Sequence, residues 1–137
     1  EHMADETTNG PKVFVIDDDA FLLDMYALKF AQKGFSVTSS GGTLEALEKL
    51  RAGYVPEIIV VDLVMPAMDG FEFLETVKNE SLAQGALVII LSNLGQQEDI
   101  DRGLALGAAG YIIKASATPS EVVEKVQEVL QKHNAKK

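Results

Sequence analysis

Four consecutive branched apolar residues, Ile58, Ile59, Val60 and Val61, run directly into Asp62. A run that short, β-branched at every position, suits a strand buried on both faces, as in a parallel sheet. Pro66 and Gly70 then mark a loop, and a helical pattern follows. Asp62 is therefore expected at the carboxyl end of a central strand, where open α/β sheets place their ligand sites. A lone carboxylate there is most simply a polar cap where the strand meets water. A nucleophile or metal ligand needs partners, so the rest of the chain decides.

Similar units flank it. Lys12 to Asp17 reads as a first strand ending in three acids, Asp17, Asp18 and Asp19. The helix after it has Phe21, Leu22, Met25 and Leu28 on one face, Asp19 as N-cap, and Gly34 in the C′ position with Phe35 following. The helix dipole accounts for one of those acids; adjacent carboxylates repel, and two at a strand end call for a cation. Phe35 to Ser39 reads as an edge strand. Thr43 is expected to cap a second helix carrying Leu44, Leu47 and Leu50. Asp69 and Glu72 have capping-box spacing before a helix with Phe71, Leu74 and Val77 on its buried face. Ala86 to Leu91 is a fourth strand, ending in Ser92.

A weaker helix spans Gln96 to Gly107, with Ile100, Leu104 and Leu106 apolar and Gly103 inside it. An interior Gly costs roughly 0.5–1 kcal/mol relative to Ala. Tyr111 to Ile113 is the fifth strand, ending in Lys114. Thr118-Pro119-Ser120-Glu121 is a strong helix start, and Val122, Val123, Val126, Val129 and Leu130 form the stripe that follows. Five strands alternating with five helices predict an α/β fold, a parallel sheet with helices on both faces and right-handed crossovers. Residues 11–133 form the expected domain, residues 1–10 a disordered leader with a tag remnant at His2-Met3, and 134–137 a frayed tail.

Composition narrows the function. No apolar run approaches the ~20 residues of a membrane helix. The chain has no cysteine and two histidines, so thiolate chemistry and zinc are disfavoured, and any metal would be a hard ion held by oxygen. A net charge of −9 argues against a nucleic-acid surface. The expected location is cytoplasmic.

In a parallel sheet all strand carboxyl ends share one edge, so Asp17, Asp18, Asp62, Ser92 and Lys114 can converge. Each suits a task in phosphoryl transfer. Asp62 would be the nucleophile, and Asp17 and Asp18 would hold a Mg²⁺. Lys114 would pair with a phosphoryl oxygen as a point charge, and Ser92 would donate its hydroxyl to another.

On Val15-Ile16-Asp17-Asp18-Asp19, Val60 through Gly70, Leu91-Ser92 and Gly107 through Lys114, the chain resembles the receiver domain of bacterial two-component response regulators, the CheY-like family. The resemblance covers about Lys12 to Gln131. It implies a flavodoxin-like, doubly wound sheet in the order 2-1-3-4-5. Asp62 matches the phosphoacceptor. Asp17 and Asp18 match the acidic pair, with the Val64 carbonyl as a further metal ligand. Ser92 and Tyr111 match the switch hydroxyl and the switch aromatic. The implied partners are a histidine kinase or histidine phosphotransfer protein, and a downstream target or output domain on the 96–131 face. The activity implied is self-catalysed phosphorylation and slow dephosphorylation.

Two departures stand out. The family usually has a cis proline after the Lys, and here Ala115 follows. A cis bond before a non-proline costs ~2.5–4 kcal/mol, so the sequence leaves both a cis and a trans Lys114–Ala115 bond open, and a trans bond would shift the loop after Lys114. Val64 and Leu94 occupy positions where many members carry polar side chains that help position the hydrolytic water, so a long-lived phosphoryl group is expected. The competing readings are less well served. A phosphorylation-independent docking module would be marked by loss of Asp62, Asp18 or Lys114. A flavin carrier needs a Ser/Thr/Gly-rich loop where three acids stand. A haloacid-dehalogenase-type phosphatase needs an Asp at position 64.

Overall fold

The computed structural model describes residues 10–136. The expected leader thus lies, apart from Gly10, outside the described residues, as does Lys137. The elements run β1 (Lys12–Ile16), α1 (Ala20–Gln32), β2 (Ser36–Ser40), α2 (Thr43–Arg51), β3 (Ile58–Val61), α3 (Gly70–Asn79), β4 (Leu87–Ser92), α4 (Gln97–Ala105), β5 (Gly110–Ile113), a 3₁₀ turn (Lys114–Ser116) and α5 (Pro119–Ala135). One parallel sheet in the order β2-β1-β3-β4-β5 organises them, as expected.

Successive strand side chains point to opposite faces, and this divides the core in two. Phe14, Ile16, Ile59, Val61 and Ile90 pack against the helices α2 and α3. Val13, Val15, Ile58, Val60, Ile89 and Leu91 pack against α1 and α5. The central strand β3 is buried at all four positions, which is why its sequence shows no alternation.

Capping follows the expected chemistry at three helices. Asp19 accepts the Leu22 N–H, Asp69 and Glu72 close a capping box, and Thr118 and Glu121 close another. At α2 the expectation fails. Gly42 is the N-cap, and the Thr43 hydroxyl instead donates to the Met68 carbonyl at 2.6 Å. That bond ties α2 to the loop after β3.

The buried face of α1 also differs from the expected one. Phe21 is 73 % and Leu28 51 % exposed, while Tyr26 and Phe30 are buried with Leu22 and Leu23 beside them. The helix carries two apolar stripes, and the one bearing two large aromatics an α-turn apart buries more area. Leu104 of α4 is likewise exposed, and Leu44 of α2 lies outside its packed face. α5 runs on to Ala135. Gly103 now has a reason to be glycine. A Cβ there would stand 2.5 Å from Ile90 Cδ1 and 3.4 Å from the Tyr111 ring.

Candidate functional site

Register brings the acids together. Ile16 pairs with Val61, so the next residues, Asp17 and Asp62, emerge side by side. The Asp62 N–H donates to the Ile16 carbonyl at 3.1 Å, extending the ladder one step past the strand. Asp17, Asp18 and Asp62 each place a carboxylate oxygen within 4.8 Å of the others. Asp17 and Asp62 are buried, at 1 % and 6 % exposure, whereas Asp18 is open to solvent.

Lys114 reaches this cluster from the far side of the sheet. Its Nζ lies 2.7 Å from Asp17 Oδ2 and 2.8 Å from Asp62 Oδ2, and its side chain is 10 % exposed. The other oxygens of both acids take backbone donors. The Asp19 N–H donates to Asp17 Oδ1 at 2.9 Å, and the Val64 N–H to Asp62 Oδ1 at 3.2 Å. Burial raises the Asp17 carboxyl above its usual value, and the pull of Lys114 and the Asp19 N–H only partly offsets this. For Lys114, burial favours the neutral amine, but its bonds to the two carboxylates prevail and hold the ammonium above its usual value. Three carboxylates facing one ammonium leave the cluster short of positive charge. That is an all-oxygen donor set suited to a hard divalent cation.

The loop after β3 is tightly built. The α3 residue Gly70 lies against the end of the strand, where a Cβ would come within 2.4 Å of the Asp62 carbonyl oxygen. The Gly70 N–H donates to the Leu63 carbonyl at 2.9 Å. Ala67 takes a positive φ of 69°, and the Met68 N–H closes a three-residue turn onto the Pro66 carbonyl at 2.8 Å. The Val64 side chain is 58 % exposed beside the acids.

Ser92 is fully buried at the end of β4, and its Oγ accepts the Leu94 N–H at 3.3 Å. The Tyr111 hydroxyl donates to the Leu94 carbonyl. Leu94 therefore joins the two hydroxyls through its main chain. Asn93, between Ser92 and Leu94, accepts the Ala115 N–H on Oδ1 at 2.8 Å. All described peptide bonds are trans, the Lys114–Ala115 bond included. The main-chain role of Leu94, whose side-chain position the sequence did single out, and Asn93 were not legible. The first acts through backbone atoms, and the second resembles any turn-forming Asn at a strand end.

The doubly wound parallel sheet with three acids and a lysine at its carboxyl edge sets the class of the chain as an open α/β fold with its site at the strand ends. The family model for the response regulator receiver domain matches residues 13–127, and the chain belongs to that family. It is 29 % identical over 121 residues to the phosphate regulon transcriptional regulatory protein PhoB of Escherichia coli, covering 88 % of this chain and 52 % of that protein. It is 31 % identical to a probable transcriptional regulator, ycf27, of Porphyridium aerugineum, covering 88 % of this chain and 48 % of that one. The chain thus spans about half the length of the curated relatives it matches. Among solved structures, the receiver domain of the Francisella response regulator 1452 superposes with a TM-score of 0.79 at 30 % identity, covering 90 % of this chain and 99 % of that one. Vibrio cholerae CheY4 gives 0.79 at 28 % identity, covering 88 % and 98 %.

Proposed function

We propose that Asp62 accepts a phosphoryl group from the phosphohistidine of a histidine kinase or histidine phosphotransfer protein. The observation that carries this reading is the Lys114 ammonium, held against both Asp17 and Asp62 at the end of the central strands. The Asp62 carboxylate oxygen attacks phosphorus. The new O–P bond forms as the P–N bond breaks, and the imidazole nitrogen keeps the bonding pair. Lys114 faces the acceptor and can follow the charge onto a phosphoryl oxygen. On this reading the Ser92 hydroxyl donates to a second oxygen and its movement passes through Leu94 to Tyr111, which the two hydrogen bonds at Leu94 support.

The three carboxylates of Asp17, Asp18 and Asp62 fit Mg²⁺, and on this reading the Val64 carbonyl would join them in holding it. When bound, the ion supplies charge neutralisation for the carboxylates and the phosphoryl oxygens. On this reading the chain catalyses its own phosphorylation and slow dephosphorylation. The apolar Val64 and Leu94 support a long phosphoryl lifetime.

The output is read on the 96–131 face by a downstream protein or an output domain. An open groove of about 370 Å³ between β5 and α5, lined within that range by Tyr111, Ile113, Ser116, Ala117, Glu121 and Lys125, supports this. No helix among the described residues is long and apolar enough to cross a membrane. A cytoplasmic location is part of the proposal.

The test is intact mass after incubation with acetyl phosphate and Mg²⁺. One added phosphoryl group, absent from Asp62→Asn and from a metal-free control, is the expected result. Phosphorylation of Asp62→Asn at the same level would move the acceptor elsewhere. No adduct in the wild-type chain under a short quench, with no response of Tyr111 to beryllofluoride, would favour docking without phosphorylation.

A further inference from the structure

Lys114 is the first residue of a three-residue 3₁₀ turn at the end of β5, which is an edge strand. On that side the ladder ends where Ile113 pairs with Ser92. The turn closes on itself by a single long bond, Ala117 N–H to the Lys114 carbonyl at 3.3 Å. Yet the ammonium at the end of this side chain meets two buried carboxylates at short distance. A long side chain aims accurately only from a backbone that is itself fixed. The Ala115 N–H is one of the orphan donors that every helical turn leaves at its start. Water would satisfy it, because Ala115 and Asn93 are both exposed. Instead it donates to Asn93 Oδ1 at 2.8 Å, a residue 22 positions upstream in the loop after β4.

We infer that Asn93 is a positioning residue for Lys114: by holding the Ala115 N–H, its side-chain oxygen fixes the turn from which the ammonium reaches Asp17 and Asp62. The kinetic part of this inference rests on the proposed role of Lys114 in phosphoryl transfer; the positional part does not. It also makes the loop after β4 a three-way junction. Ser92 Oγ accepts the Leu94 N–H, Asn93 holds the turn of Lys114, and Leu94 holds Tyr111. A shift of this loop toward a phosphoryl group would then move the lysine and the tyrosine together.

The experiment uses the full chain with Asn93→Ala and Asn93→Asp, the second of which keeps an acceptor oxygen in place. In ¹⁵N NMR without a phosphodonor, the wild type should show a protected Ala115 amide and a slowly exchanging Lys114 ammonium. Asn93→Ala should lose the ammonium signal and exchange the Ala115 amide faster, and Asn93→Asp should restore both. With acetyl phosphate and Mg²⁺, the limiting phosphorylation rate of Asn93→Ala should fall about three- to tenfold at an unchanged half-saturating donor concentration, the scale of one hydrogen bond. Retention of the ammonium signal in Asn93→Ala, or failure of Asn93→Asp to restore it, overturns the inference. A wild-type chain that takes no phosphoryl group, yet whose ammonium signal depends on Asn93, overturns the proposed function and upholds the positioning.

Discussion

Replacing Lys114 by Met removes the ammonium while keeping most of the aliphatic stem, and leaves two buried carboxylates facing each other. At separations of 2.7 and 2.8 Å, each contact carries about 6 kcal/mol of attraction at an effective dielectric near 20. Most of that offsets the cost of burying the charges. Breaking a buried pair by removing one partner typically costs about 3–5 kcal/mol, and we expect about 3 kcal/mol at pH 7 without divalent cations, because Asp18 leaves the cluster open to water on one side. The sign with pH follows from Asp17. Burial already holds its carboxyl above the usual value with Lys114 present. A carboxyl raised in this way favours the folded state while protonated and loses that contribution as pH rises through its folded value. Removing the ammonium raises it further, so the deficit of the variant should widen between about pH 4 and pH 7. Lys114 itself, held above its usual value by the two carboxylates despite burial, stabilises the wild type throughout that window and stops doing so only as pH rises above the folded value. Urea unfolding reads this as a midpoint lowered by about 1.5–2 M at pH 7. Millimolar Mg²⁺ should narrow the gap by binding the folded cluster, and adding Asp17→Asn should recover part of it. A Met variant within about 0.5 kcal/mol of wild type at pH 7, with no dependence on pH, would refute the pairing, since that is the scatter of surface substitutions.

Other perturbations test the surrounding loops. Gly70→Ala drives a Cβ onto the main chain at Asp62 and Leu63, and should cost about 1–3 kcal/mol in thermal or urea unfolding while slowing phosphorylation. Ala67→Gly relieves a positive φ of 69° and should stabilise by about 0.5 kcal/mol, whereas a loss of stability would mean the turn is not strained. Tyr111→Phe removes the donor to Leu94 and should cost about 1 kcal/mol of stability, with faster exchange in the loop after β4 and a phosphorylation rate close to wild type. The phosphoaspartate should persist well beyond seconds by intact mass, and Val64→Asn should shorten its lifetime; a wild-type lifetime of seconds would remove the role given to the apolar pair.

Much of this was readable from the residues because the central strands β1, β3 and β4 are short, apolar and largely buried. The apolar runs of these three and of β5 lead directly into Asp17, Asp62, Ser92 and Lys114, so placing the strand placed the residue. Asp17, Asp62 and Lys114 converge for that reason. The N-caps Asp19, Asp69 and Thr118 were readable because a side chain bonding its own backbone is local. Thr43 misled for the complementary reason: its hydroxyl found a carbonyl 25 residues away, which no local pattern encodes. On α1, period alone could not choose between two apolar stripes, because the choice belongs to the sheet and to α5. Gly103 reads as a weakness in α4 from its own helix alone, because the neighbours that require it, Ile90 and Tyr111, come from β4 and β5.

The bridge at Leu94 has a consequence for how this site can vary. Both of its bonds, N–H to Ser92 Oγ and carbonyl from Tyr111, use main-chain atoms that every residue except proline supplies in full. The side chain at position 94 is therefore not needed for either bond. On the proposed function it is free to vary with the lifetime of the charged state while the lever beneath it keeps its shape. Timer and lever would then share one residue and be encoded separately, the first in its identity and the second in its backbone.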